Sequence, residues 1–241
     1  MKKAVLLVGH GSKDPEGNAE FEAFAQAAGM RYCMLDYVEP SLPTALASLA
    51  AEGITDLAVI PYFLFAGGHV KKDIPEIINT ARKQYPKMAI YLGRHLGLEN
   101  ALLEVCAERC GEIKGRNVLL VGRGSLHAEA VADMAAQTAC LRTFTGNPAI
   151  YHCFIALAPP DLPTGIKAHR LDDNTPPIVV PYFLFTGILV KRILRIAQDA
   201  GCEVRPHLGR DARLIHLLHQ RETEIWQKTQ LMGGSRSCKP F

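Results

Sequence analysis

Two histidines stand beside glycines, where a chain can turn sharply: His10 in Val8-Gly9-His10-Gly11-Ser12, and His69 in Gly67-Gly68-His69. A neutral imidazole can ligate a first-row divalent ion, accept a proton, or do each in turn. Glu39, just before Pro40, can add a carboxylate oxygen. Three such donors hold an ion more loosely than a closed four-ligand cage does, which suits an ion that must be handed on. The chemistry requires the three residues to meet, and they are far apart in sequence.

The pattern of apolar residues says how they can meet. Runs at Ala4–Val8, Cys33–Val38, Leu57–Phe65 and Met88–Leu92 predict strands, with helical stretches at 16–29, 43–52, 70–84 and 98–111. Short Val/Ile/Leu-rich runs separated by helices indicate parallel βαβ units with helices on both faces of the sheet. In a flavodoxin-like strand order of 2-1-3-4, strands one and three are neighbours about 5 Å apart, and ligands bind beyond their carboxyl ends. His10 follows strand one, His69 follows strand three, and Glu39 ends strand two. All three would then project from one edge. Phe63, Phe65, Phe183 and Phe185 alternate along strand runs and are expected in the core.

The chain repeats itself. Residues 61–71 (PYFLFAGGHVK) and 181–191 (PYFLFTGILVK) agree at eight of eleven positions. Leu42-Pro43-Thr44 recurs as Leu162-Pro163-Thr164, VGHGS (8–12) as VGRGS (121–125), and LGR (92–94) as LGR (208–210). Strands near 117–121, 151–157, 178–185 and 203–208, with a closing helix at about 211–228, complete the second copy. The expected fold class is α/β: two tandem flavodoxin-like, doubly wound lobes over 1–114 and 115–231, facing each other across a cleft, then a tail over 232–241. The copy keeps the scaffold and loses the candidate ligands: His10 becomes Arg123, Glu39 becomes Pro159 and His69 becomes Leu189. That selective loss favours a functional role over helix capping or a turn role for the two histidines. His95, His127, His152, His169 and His207 have no matched context, and His216 and His219 read as surface residues.

Composition narrows the class further. With 48% hydrophobic and 21% charged residues the chain is an ordinary globular protein, not a disordered or collagen-like one. A net charge of +3 gives no footprint for nucleic acid. No apolar run approaches the ~20 residues of a membrane span, and the start is too short for a signal peptide. Seven irregularly spaced cysteines, with no CxxC, read as reduced thiols of a cytoplasmic protein. There is no GxxxxGK[ST], and the GHGS and GRGS turns lack the third glycine of a dinucleotide fingerprint.

GHGS after the first strand and PYFLFAGGHVKKDIP (61–75) resemble the signatures of the sirohydrochlorin chelatases, the cobaltochelatase and ferrochelatase family of class II chelatases, in their long two-domain form. The resemblance covers the whole chain and implies a catalytic first half and a degenerate second half. It implies insertion of Co²⁺ or Fe²⁺ into a tetrapyrrole for cobalamin or sirohaem synthesis, with His10 and His69 carrying the metal and the proton transfer and Glu39 as the nearby acid. The metal, with Ni²⁺ also acceptable to imidazole, would be a substrate rather than a tightly bound cofactor. Sirohydrochlorin carries eight carboxylates, so cations near strand ends are expected: Lys71, Lys72, Arg94, Arg123 and Arg210. Ser12 and Ser125 can donate to the macrocycle or cap the following helix. Because one chain supplies both lobes, a monomer is expected. A non-catalytic tetrapyrrole or metal carrier is the alternative, and a periplasmic-type binding protein a third reading.

Overall fold

The computed structural model describes residues 2–113 and 115–231. Lys114 at the repeat boundary and the tail 232–241, with Cys238, lie outside the described residues. The first sheet contains β1 (Lys3–Gly9), β2 (Arg31–Met34), β3 (Asp56–Pro61) and β4 (Ala89–Leu92), all parallel, in the order β2-β1-β3-β4. This is the expected flavodoxin-like order. Every residue of β3 is buried, as a central strand covered on both faces requires. The helices are α1 (Pro15–Ala27), α2 (Leu42–Ala51) and α3 (Ile74–Gln84), the last entered directly from a π-helical turn over His69–Asp73. Asp14 caps α1 by accepting the Glu16 N–H at 3.1 Å, with Pro15 in the first turn, where a missing N–H costs nothing. Leu6, Val8, Leu57 and Val59 from the central strands meet Leu46, Leu49, Ile74 and Ile78 from the helices in one core.

The second sheet has three strands, β5 (Val118–Gly122), β6 (Ile150–Phe154) and β7 (Ile178–Pro181), in the order β6-β5-β7. The fourth strand expected over 203–208 is reduced to an isolated bridge between Val179 and Val204. The Val179 N–H donates to Glu203 O and the Arg205 N–H donates to Val179 O, which is the whole of the bridge. Its helices are α5 (Ala128–Thr145), α6 (Leu162–Ala168) and α7 (Ile188–Asp199). Other expected strands also stop short of their apolar runs: β2 at Met34, β3 at Pro61, β6 at Phe154 and β7 at Pro181. Phe63, Phe65, Phe183 and Phe185 therefore lie beyond the strands and are half-buried rather than core residues.

Two helices remain, α4 (Asn100–Cys110) and α8 (Ala212–Leu231), and they do not pack where their sequence positions suggest. The described residues form two compact units, one of 2–97 with 212–231, the other of 98–211. In the first, α8 packs on β3; in the second, α4 packs on α5 and β7. Each carries an arginine that bonds to backbone carbonyls of its unit. Arg221, 1% exposed, donates to Leu96 O at 2.8 Å and to Glu224 at 2.9 Å, while Arg109 donates to His207 O and Leu208 O, both at 3.1 Å. These contacts expose a match hidden in the sequence. Leu96 N–H donates to Phe63 O as Leu208 N–H donates to Phe183 O, so His95-Leu96-Gly97 is equivalent to His207-Leu208-Gly209. The LGR triplets are out of register with that equivalence, and His95 and His207 have a matched context after all. The six described cysteines are free thiols, all buried except Cys140.

Candidate metal centre

The centre forms where β1, β2 and β3 end. Two ladder-like bonds continue past the strands: Leu35 N–H to Gly9 O and Asp36 N–H to His10 O, both 2.9 Å. The chain then reverses in a three-residue turn, Val38 N–H donating to Asp36 O at 2.9 Å, around Tyr37 at φ 71°. Gly11, at φ 83°, lies under this turn; a Cβ there would sit 2.0 Å from Asp36 O. Only glycine allows that approach, and the approach fixes Asp36 beside His10.

His69 arrives by a different device. It opens the π-helical turn, in which Ile74 N–H reaches back to His69 O. Pro75 follows and has no N–H to close an α-helical bond to Lys71 O, so the wider turn loses little. The result is a pair of imidazoles 4.7 Å apart by ring centroid and nearly perpendicular, at 87°. Asp36 completes a trio whose ligand atoms all lie within 4.8 Å of one another. Among the described residues, no other group of three His, Cys, Asp or Glu converges in this way.

Hydrogen bonds set the tautomers. His10 Nδ1–H donates to Gly11 O at 2.9 Å, and His69 Nδ1–H donates to Asp73 Oδ2 at 2.7 Å. Both rings therefore present Nε2 as the donor atom for a metal, and a carboxylate behind an imidazole raises its basicity. His69 Nε2 lies 3.9 Å from Asp36 Oδ2, with the two side chains 29% and 41% exposed. The site is open to solvent on the side of His69 and Asp36, while His10 Nε2 is buried. Phe63 flanks both rings at 6.2 and 6.3 Å.

Of the residues singled out from the sequence, His10 and His69 are brought together and Glu39 is not. The Glu39 carboxylate is exposed and accepts the Ser41 N–H at 2.6 Å; that bond, followed by one from Thr44, holds it below the usual carboxylate range. Asp36, three residues earlier, supplies the oxygen instead. Asp36 and Asp73 were the residues sequence reasoning missed. The copy has Ala156 and Ile193 in their places, so the subtraction that marked the histidines applied to them too. Ser12 Oγ accepts the Asp14 N–H and Ser125 Oγ the His127 N–H, each at 3.0 Å, which are turn bonds leading into α1 and α5. Arg94 is engaged by Glu224 through two bonds of 3.0 and 2.9 Å. Lys71, Lys72, Arg123 and Arg210 are exposed.

Two parallel-sheet α/β units built from one repeat, with imidazoles and a carboxylate converging, among the described residues, at the sheet edge of just one, define a duplicated α/β protein with a candidate transition-metal centre. The chain belongs to the CbiX family, whose sequence model matches residues 4–113 and again 117–225. The sirohydrochlorin cobaltochelatase of Priestia megaterium is 32% identical over 212 residues, spanning 82% of this chain and 69% of that protein. The sirohydrochlorin ferrochelatase of Bacillus subtilis (strain 168) is 29% identical over 209 residues, spanning 82% and 80%. Among solved structures, SirB from Bacillus subtilis with Fe³⁺ superposes with a TM-score of 0.83 at 26% identity, covering 93% of this chain and 96% of that one.

Proposed function

We propose that this chain is a sirohydrochlorin chelatase, a lyase that inserts Co²⁺ or Fe²⁺ into the macrocycle, and that residues 1–114 carry the chemistry while 115–231 are its degenerate counterpart. The observation that carries the reading is the convergence of His10, Asp36 and His69 at the edge of the first sheet. The names of the relatives, cobaltochelatase and ferrochelatase, support both the substrate and the choice of metals.

The ion enters as substrate and is held by the two Nε2 atoms and an Asp36 oxygen, three ligands that leave positions open to the macrocycle. Insertion replaces two pyrrole N–H protons with metal–nitrogen bonds. As the ion moves to the ring nitrogens, each vacated imidazole Nε2 can take up one of those protons. Asp73 faces the imidazolium that forms on His69, and Asp36 lies on its other side. Lys71, Lys72, Arg123 and Arg210, exposed at or near strand ends, are candidates for the peripheral carboxylates; Ser12 and Ser125 are retained chiefly as turn residues, Arg94 as the partner of Glu224, and Glu39 as the acceptor at the start of α2.

Supporting the wider reading, the described cysteines are free thiols, which suits a reducing compartment such as the cytoplasm. No helix among the described residues is long and apolar enough to cross a membrane. Both repeats lie in one chain, which suits a monomer. The test is the anaerobic absorption change of sirohydrochlorin with Co²⁺ or Fe²⁺. Wild-type chain should exceed the uncatalysed rate, and His10→Ala or His69→Ala should lose the excess by at least ~100-fold, the lower end of acid–base contributions. Stoichiometric binding without acceleration would indicate a carrier instead, and full activity in both variants would remove the assigned centre.

A further inference from the structure

Tyr37 is placed as a residue serving only stability would not be. It is 60% exposed, it is not glycine, and it sits at φ 71°, where side chains are strained. The turn itself does not need an aromatic residue. In the second unit the same turn is made by Leu157, at φ 53° and 51% exposed, with Ala158 N–H donating to Ala156 O at 2.6 Å. What distinguishes the unit with the metal centre is the ring carried on the turn.

That ring lies beside the centre. Its centroid is 6.3 Å from that of His10 and the two planes are 22° apart, while the His69 ring stands at 87° to His10. A flat ligand parallel to Tyr37 would therefore lie steeply to the His69 ring. An imidazole's lone pair lies in its ring plane, so a ring standing steeply to a macrocycle is one that can direct Nε2 at the macrocycle face. Lys13 holds its Nζ 5.4 Å from the Tyr37 centroid. Its flexible stem can carry the ammonium from the ring to a ligand carboxylate.

We propose that Tyr37 and Lys13 form a substrate-positioning pair, in which the phenol ring takes the π face of the tetrapyrrole beside the metal centre and the ammonium meets one of its peripheral carboxylates. The inference rests on the chelatase reading and deepens it, by assigning macrocycle orientation to a residue outside the metal trio. Offset aromatic contact is favourable, and a tetrapyrrole supplies an extended π surface for it.

The test is steady-state metallation with the tetrapyrrole varied, alongside quenching of macrocycle fluorescence without metal and Co²⁺ titration without macrocycle. Tyr37→Leu, the residue the second unit carries on this turn, should raise KM and the macrocycle dissociation constant about tenfold, a loss of the size aromatic contacts give. It should change kcat little and leave Co²⁺ affinity as it was. Tyr37→Phe should restore KM. Tyr37→Gly should raise KM as Leu does while the melting temperature holds or rises, because glycine relaxes at positive φ. Wild-type KM in the Leu and Gly variants would overturn the proposal while leaving the chelatase reading in place. A wild-type chain that neither binds nor metallates the tetrapyrrole would overturn that reading, and this inference with it.

Discussion

The loops after the second strand of each sheet are built alike and hold different things. In both, a backbone N–H two residues past the strand donates to the residue that follows the central strand: Asp36 to His10 O, and Ala156 to Arg123 O. In both, a glycine at strongly positive φ accepts the overhanging carbonyl, since a Cβ on Gly11 would lie 2.0 Å from Asp36 O and one on Gly124 2.1 Å from Ala156 O. Where the first unit sets Asp36 and Tyr37 on this frame, the second sets Ala156 and Leu157. The entry to the following helix differs in backbone as well. His69–Asp73 is a π-helical turn ahead of Pro75, whereas α7 begins as regular α-helix, with Leu189, Ile193 and Arg195 in place of His69, Asp73 and Pro75. The turn architecture thus belongs to the scaffold, and the polar atoms placed on it, with the π turn that aims one of them, belong to the chemistry.

If that division is right, the two glycines should be equal for folding and unequal for function. Gly11→Ala and Gly124→Ala each combine positive-φ strain with overlap onto a carbonyl, so each should cost roughly 2–6 kcal/mol by chemical denaturation. Only Gly11→Ala should also displace Asp36 and abolish activity in the protein that remains folded. Equal activity losses per folded molecule in the two variants would break the comparison. A smaller effect is expected one step behind the ligands. Asp73→Asn keeps the shape but removes the charge facing His69, so metallation should fall about 10–100-fold, as for other residues that orient metal-binding imidazoles. Its melting temperature should barely move, since the pair is part-exposed. Unchanged turnover would assign Asp73 to the helix entry alone.

The parts legible in the sequence were those written as local pattern. The Val/Ile/Leu runs of β1 and β3, the helices between strands and the repeated words fixed the strand order of the first sheet and the meeting of His10 with His69. The choice between Asp36 and Glu39 was not legible, because it depends on where β2 stops and on a positive-φ turn that Tyr37, not a glycine, occupies. The exchange of α4 and α8 leaves no local trace, since an amphipathic helix reads the same whichever sheet it covers. Their arginines, Arg109 and Arg221, become meaningful only once His95-Leu96-Gly97 and His207-Leu208-Gly209 are seen as equivalent.

The claim that one centre, made by His10, Asp36 and His69, receives the metal is tested most directly by titrating the metal-free chain with Co²⁺ and following the visible bands of the bound ion. Wild-type protein should bind one Co²⁺ per chain with imidazole nitrogen in its ligand set, and His69→Ala and Asp36→Ala should each weaken that binding by at least about tenfold. Retention of the wild-type spectrum and affinity in both variants would contradict it.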